Sequence, residues 1–384
     1  MSTHLFELLK SAKKNNQLPT VIAYNRIDGP GSSLDLREFQ QAFWTVPIMP
    51  EDVTKEPAMK WSSNLPRTVG ITIDTGTKVE AHPLEKDLIG VNSVEYKSEV
   101  ISKPGEVLPT KENWLLKIVD IFGLKGVMFV LQNLRAGTRS AGLGGSATAA
   151  TGVCILANEL AGRPFSKYQI IALASRIEQD MGVSITGTQE QSNTIFGGIR
   201  DYIWFPWGIP GQQESGYGMS IQSELIQPGN YNELEKRIVI FHSGIEHASS
   251  DVNSVWREAL SKIEGYKLHK SKLEIAYLFR EGLRLNKWEQ VLTSIGKYRK
   301  IRTKLCEAYM DGAREILGHA LEHGSEAFPL GAGAGGGILV FSPYPESIIK
   351  LKEIFTGVYR EIPIKIKSKG HEIYNIPKIE NMDL

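Results

Sequence analysis

The stretch best suited to chemistry is Arg139-Ser140-Ala141-Gly142-Leu143-Gly144-Gly145-Ser146-Ala147-Thr148. It runs into an alanine-rich segment, Ala147 to Leu160. There Ala150, Val153, Cys154, Ala157 and Leu160 share one helical stripe, and Gly162 and Pro164 end it. A glycine loop feeding a helix N-terminus offers free backbone N–H groups and the positive end of the helix dipole. Glycines also let a ligand approach the main chain closely. Together these make an anion site, most often for phosphate; the plainer alternative is a glycine turn before a core helix. Four side chains suit phosphate chemistry. Ser146 could offer a hydroxyl to Mg2+ at the helix start, and Glu178, on the next expected helix, a carboxylate, a hard oxygen ligand. Glu190, in a polar run from Gly187 to Asn193, could orient or deprotonate an attacking hydroxyl. Arg26 could offset charge on a transferring phosphoryl group. Each of these, taken alone, also reads as a surface charge or a cap.

Two other patterns lead elsewhere. Gly331 to Gly336 spells G-x-G-x-x-G, but the strand expected over Ile338 to Phe341 follows it, whereas a dinucleotide fingerprint needs a strand before and a helix after. A glycine-lined loop packed by another segment or a substrate is the better reading. His319-Ala320-Leu321-Glu322-His323 spells a zinc-peptidase pattern, H-x-x-E-H. Gly324 follows at once, so the run reads as a helix end, where histidine suits the dipole. The Walker signature and the protein-kinase elements are absent from the sequence.

The elements that must carry these residues follow from periodicity and punctuation. Residues 1–19 read as a short helix or arm, and Thr20 to Ile27 as a strand entering a turn cluster, Asp28 to Ser33. Residues 37–67, with mixed polarity and several prolines, read as a long loop or insertion. Val69, Ile71 and Ile73 alternate with polar residues, as do Thr77 to Ala81, and Asp74-Thr75-Gly76 between them predicts a hairpin. A helix is expected over Trp114 to Phe122, a strand over Val127 to Leu131 and a helix over Tyr168 to Met181. Trp204 to Gly218, rich in Gly and Pro, is the candidate linker between an N-terminal part, 1–215, and a C-terminal part, 216–384. The second part should hold a strand at Arg237 to Phe241, a helical stretch from Lys270 to His323 broken near Asn286 and Gly312, a helix at Glu346 to Phe355, and a last strand through Ile362, Ile364 and Ile366. Strands and helices mixed in both parts predict the α+β class.

Composition bounds the rest. The 384 residues suffice for two cores, and a net charge of +1 argues against nucleic acid or an anionic membrane as the main partner. Two cysteines, Cys154 and Cys306, cannot build a disulfide framework, and Cys154 reads as a core residue. The polar, lysine-rich N-terminus has no apolar leader, and no run approaches a membrane span, so a soluble cytoplasmic protein is expected.

Three stretches in this order resemble the motifs of the GHMP kinase superfamily, which includes galactokinase and the homoserine, mevalonate and phosphomevalonate kinases. They are Arg26-Ile27-Asp28-Gly29-Pro30-Gly31-Ser32-Ser33-Leu34-Asp35, Ala141 to Ala147, and Leu330 to Gly337. Within the superfamily the sequence is similar to the sugar-1-kinase branch, the D-glycero-D-manno-heptose 7-phosphate kinases and the kinase part of fucokinases. Arg26 with Asp35, Gly187-Thr188-Gln189-Glu190-Gln191 with Phe196-Gly197-Gly198, and Ser243-Gly244-Ile245 with Ser249-Ser250 carry that likeness.

The resemblance implies a two-lobed α+β protein with its active site between the lobes, binding ATP and Mg2+. It implies a nucleotide-phosphate cradle at Arg139, Ser140, Gly142, Leu143, Gly144, Gly145, Ser146 and Ala147, and Mg2+ ligation by Ser146 and Glu178. Glu190 falls at the family's catalytic Asp and Arg26 at its basic residue. Asp35, with Gly31, Ser32, Ser33, Gln189, Gly333 and Gly335, would face the acceptor. The implied acceptor is a small alcohol, foremost the anomeric hydroxyl of a sugar or heptose phosphate. A catalytically weakened nucleotide-binding paralogue and a kinase for mevalonate or homoserine are the alternatives. The sequence departs from the pattern at Glu190, one methylene longer than Asp, and at Gly145, in place of a serine. Glu246 and His247 stand where heptose kinases carry an Arg, and residues 37–67 are longer than the usual connection.

Overall fold

Thr20–Asp28 is the strand on which the molecule is built: all but one of its residues are buried, and it carries both Arg26 and Asp28. The computed structural model describes residues 2–44, 61–135, 141–205, 220–245 and 249–377. Strands are numbered in chain order: β1 Thr20–Asp28, β2 Arg67–Pro83, β3 Ile89–Ser93, β4 Ser98–Ser102, β5 Val127–Asn133, β6 Ile199–Trp204, β7 Ser220–Glu224, β8 Ile238–His242, β9 Glu326–Pro329, β10 Gly337–Phe341, β11 Arg360–Ile362 and β12 His371–Tyr374.

A large sheet runs β12-β1-β2-β5-β3-β4, with β6 pairing β2 and β7 pairing β6. A smaller antiparallel sheet runs β11-β8-β10-β9. The α+β class is as expected. Strands β7 and β12 come from the C-terminal part of the chain yet complete the large sheet, so the two sheets do not divide at one point in sequence.

The hairpin expected at Asp74-Thr75-Gly76 does not form. β2 runs on through these residues for 17 positions. Its first half pairs β6 and its second half β5, while β1 lies along its other edge throughout. Three partner strands hold it straight, and the turn signal is absorbed as a bulge, a shift of register between Tyr24 and Asn25. Gly76 makes that bulge possible, because a Cβ there would lie 2.0 Å from the Ala23 carbonyl oxygen. Gly76→Ala should therefore lower unfolding stability by roughly 2 kcal/mol or more, read by urea denaturation.

The helix Gly145–Leu160 lies across β1 and β2 and buries Ala150, Val153, Cys154, Ala157 and Leu160 in the core beside the large sheet. Burial in that core pushes the Cys154 thiol far above its usual range, as suits a packing residue. Helices Trp114–Ile121 and Lys167–Asp180 flank it, the latter opened by a capping box of Ser166 and Gln169. The expected N-terminal helix spans Ser2–Lys14 and sends Leu5 and Leu9 into the same core.

Beside the small sheet, helices Ile263–Arg284 and Trp288–Leu305 pack on each other, separated by Asn286 with φ +54°. Gly312, with φ +78°, precedes helix Arg314–Glu322, so both expected breaks stand where the left-handed backbone favours Asn or Gly.

Some expectations need correction. Part of the stretch read as a long loop is ordered: Arg37–Phe43 is a helix burying Phe39, Gln40 and Phe43, and Trp61–Asn64 is a 3-10 turn. Residues 45–60 lie outside the described residues. The candidate linker begins inside the core, since Trp204 ends β6 and Phe205 is buried; 206–219 lie outside the described residues. The isoleucine alternation is not one strand. Pro363 stops β11 at Ile362 because proline has no ladder donor, Ile366 makes a single bridge to Ile73, and the last strand is β12. His319 lies on the helix ending at Glu322, its Nδ1 3.4 Å from the Glu322 carboxylate and its ring edge-on to Phe355. His323 is the cap of that helix, and among the described residues no His, Cys, Asp and Glu cluster that could hold a metal is found.

Candidate active site

A cleft of about 690 Å3 is lined by residues from both ends of the chain, among them Asp35, Gly145, Glu178, Glu190, Asn253 and Gly331. It has the size of a small-molecule site. The start of helix Gly145–Leu160 stands at its centre. Gly144 precedes the helix with φ +79° and Gly142 has φ +67°, a backbone that side chains disfavour. A Cβ on Gly142 would strike the Leu330 carbonyl at 2.5 Å, so the first glycine loop fits against the start of the Gly331–Gly337 segment. The Gly331 N–H in turn donates to Asp28 Oδ1 at 3.0 Å, tying that segment to β1.

Two charged constellations flank the helix start. On one side Ser146 Oγ donates to Glu178 Oε1 at 2.6 Å, and Ser184 Oγ donates to the same oxygen at 2.9 Å. Glu178 is almost fully buried, and that burial pushes its carboxyl up to about 7, against the pull of the two hydroxyls. On the other side Arg26, also buried, donates to Glu190 and, at 2.8 Å, to the Gly142 carbonyl. Its Nη1 lies 3.6 Å from Asp28 Oδ1. Burial opposes the guanidinium charge, but Glu190, Asp28 and Asp35 outweigh it and hold the group protonated. Glu190 sits in the first turn of helix Gln189–Phe196, and its side chain folds into the room Gly144 leaves, where a Cβ would lie 2.7 Å from Glu190 Cγ.

Asp35 ends a tightly wound turn after β1. Its Oδ2 accepts the Gln189 N–H at 3.1 Å, and Gly187 lies so close that a Cβ there would fall on the carboxylate. Burial, with Glu190 as a like-charged neighbour, pushes Asp35 up to about 7. Ser32, Ser33, Thr186, Gln189, Asn253 and Ala332 complete this end. Elsewhere the lining mixes Val91, Val100, Trp114, Leu115 and Leu131 with Ser93, Glu95, Lys111, Glu112 and Asn133.

Of the residues singled out in the sequence, Arg26, Ser32, Ser33, Asp35, Gly142 to Ala147, Glu178, Gln189 and Glu190 all line this cleft. Gly31 lies behind it, packed on the Arg67 carbonyl. Gly333 and Gly335 are turned away from it: a Cβ on the first would meet Tyr309 at 2.0 Å, and on the second the Ile245 carbonyl at 2.9 Å. Their neighbours Gly331 and Ala332 line it instead. Arg139, Ser140, Glu246 and His247 lie outside the described residues. Ser184, Thr186 and Asn253 were missed, being isolated polar residues in the sequence; only the walls that face them give them meaning.

The GHMP kinases N terminal domain matches residues 117–198, which hold the glycine loop, Glu178 and Glu190. Over those residues the chain is similar to the GHMP kinase N-terminal domain. It is 25% identical to D-glycero-alpha-D-manno-heptose 7-phosphate kinase of Campylobacter jejuni over 228 residues, 59% of this chain and 64% of that protein. The match thus spans under two thirds of that relative. Among solved structures it superposes on a putative sugar kinase of Campylobacter jejuni with TM-score 0.64, at 19% identity over 93% of this chain and 98% of the other. It superposes on the mevalonate kinase of Methanococcus jannaschii with TM-score 0.61, at 13% identity over 91% and 98%. The structural likenesses show the fold that these kinases share, and near-equal scores for a putative sugar kinase and a mevalonate kinase leave activity and acceptor to be argued from the cleft. Among the described residues no helix is long and apolar enough to cross a membrane.

Proposed function

We propose that this protein is a GHMP kinase that transfers a phosphoryl group from Mg-ATP to a hydroxyl of a small sugar, the anomeric hydroxyl of a sugar or sugar phosphate foremost. The carrying observation is that the helix start at Gly145, the Ser146–Glu178 pair and the Arg26–Glu190 pair all face one cleft. In this reading the part lined by Val91, Val100, Trp114 and Leu115 takes the base, and the backbone N–H groups at Gly144 to Ser146 take the phosphates. Ser146 and Glu178 fit a hard cation. Their oxygens already stand 2.6 Å apart, and a buried carboxylate with a raised pKa gains most from a cation beside it. Mg2+ there would neutralise phosphate charge.

Asp35, Ser32, Ser33 and Asn253 then offer the acceptors and donors that a polyhydroxylated acceptor needs. Glu190 would take the proton of the attacking hydroxyl, and Arg26 would balance charge as the phosphoryl group moves. Most of the rate would come from positioning in a site closed to water. A second reading, a nucleotide-binding protein with weakened catalysis, is motivated by glutamate at position 190.

ADP release from Mg-ATP should be followed across free and phosphorylated hexoses and heptoses, with mevalonate and homoserine as controls. Turnover above the no-acceptor rate on a sugar is the expected result. Turnover only on mevalonate or homoserine would overturn the sugar assignment, and ATP-analogue binding without any turnover would favour the second reading.

A further inference from the structure

Behind the Asp35 end of the cleft stands a buried lysine with no place in the phosphate chemistry, its amine pushed well below the usual lysine range by burial and by Arg302. Lys272, on helix Ile263–Arg284, is fully buried. Its Nζ donates to Ser33 Oγ at 2.8 Å and to the Ser32 carbonyl at 3.3 Å, and lies 5.3 Å from the centre of the Phe39 ring. Both bonds go to the turn that ends β1. That turn is wound by three successive backbone bonds, Ser32 N to Gly29 O, Leu34 N to Gly31 O and Leu36 N to Ser33 O. Within it Ser33 is held at φ +75°, a backbone unfavourable for a residue with a Cβ. Something must hold Ser33 there, and the side-chain bond from Lys272 does so directly. Asp35 stands two residues on, and Gln40 Nε2 holds its carbonyl at 2.7 Å. A relaxation of Ser33 would therefore swing the Asp35 carboxylate off the Gln189 N–H. Arg302, on the neighbouring helix Trp288–Leu305, grips the opposite loop in the same way, donating to the carbonyls of Gly331 and Ala332 at 3.1 and 3.0 Å.

We infer that Lys272 is a positioning residue for the acceptor side of the cleft, which by binding Ser33 and Ser32 locks the Gly29–Leu36 turn and fixes where the Asp35 carboxylate stands. The inference rests on the proposed role of Asp35 toward the acceptor only for its kinetic consequence. The mechanical part stands without it.

Hydrogen exchange on the full chain tests that part with no ligand. Lys272→Met keeps the length of the side chain and removes the amine donor. It should speed exchange of the 29–36 amides roughly tenfold, because a buried hydrogen bond is lost. Exchange over 141–148 should stay as in the wild type, and Lys272→Arg should bring the 29–36 amides back part-way. Unchanged exchange at 29–36, or equal acceleration in both segments, would overturn the clamp. For kinetics, the sugar with the highest turnover in the panel is the probe and Asp35→Asn the reference. Lys272→Met should raise the KM for that sugar about tenfold while the KM for Mg-ATP stays within about twofold. A sugar KM that rises in Asp35→Asn but not in Lys272→Met sinks the positioning role. A sugar KM unmoved in Asp35→Asn sinks the acceptor role of Asp35, and hydrogen exchange still decides the clamp.

Discussion

Shortening Glu190 to aspartate should slow the proposed phosphoryl transfer, even though aspartate is the residue the family resemblance implies there. The glutamate is fitted to its surroundings. Its stem fills the space over Gly144, and its carboxylate reaches Arg26. Aspartate would withdraw the carboxylate by one methylene from the guanidinium and leave a gap beside the glycine loop. A misplacement of about 1 Å lowers kcat on the order of 100-fold in a positioned site, so Glu190→Asp is expected to lose roughly 10- to 100-fold. Glu190→Gln keeps the length and removes the base. It should lose more, about 100- to 10,000-fold in kcat, with ATP-analogue affinity little changed. Steady-state ADP release on the preferred sugar, with analogue titration beside it, separates the outcomes. A gain in turnover on Glu190→Asp would mean that position 190 marks a decayed catalyst.

Glu190 also shows what sequence can and cannot give here. Glycine spacing, a hydroxyl and a helix stripe pointed to the loop at 142–146 without a structure, because φ preferences and helix ends leave local marks. Arg26, Glu178 and Glu190 lie as far as 164 positions apart, in the case of Arg26 and Glu190, and only the order of three motifs suggested that they meet. What was misread depended on partners. Asp74-Thr75-Gly76 is a good local turn, overruled by strands on both edges of β2. Nothing near Lys272 in sequence says that its helix face turns inward under Ser33. Gly333 and Gly335 were read as facing a ligand, but close approach can equally serve a neighbour's ring or main chain, as Tyr309 and Ile245 show.

The opposite behaviour of stability and activity at Glu178 is the sharpest test of the proposed cation site. Burial raises this carboxyl from its ordinary 4.5 to about 7, so between those values the folded protein holds a proton that the unfolded chain has released. The contribution is then fully present below about 4.5 and is lost as pH rises through about 7. At one pKa unit per 1.36 kcal/mol, it is on the order of 3 kcal/mol. Asp35 is pushed up in the same direction and adds its own loss over an overlapping window. Glu178→Gln cannot ionise, while its amide oxygen can still accept from Ser146 and Ser184. The variant without metal should therefore keep much of the stability that the wild type loses between pH 5 and pH 8, read by urea denaturation at several pH values. It should also require far more Mg2+ for half-maximal turnover and lose kcat, because a hard anionic ligand has become a neutral one. A Glu178→Gln protein that is less stable at pH 8 would show that the carboxylate is structural. One with unchanged Mg2+ dependence would remove Glu178 from the cation site. A side chain that weakens the empty fold at neutral pH, and strengthens activity only when a cation is supplied, is placed for binding rather than for packing.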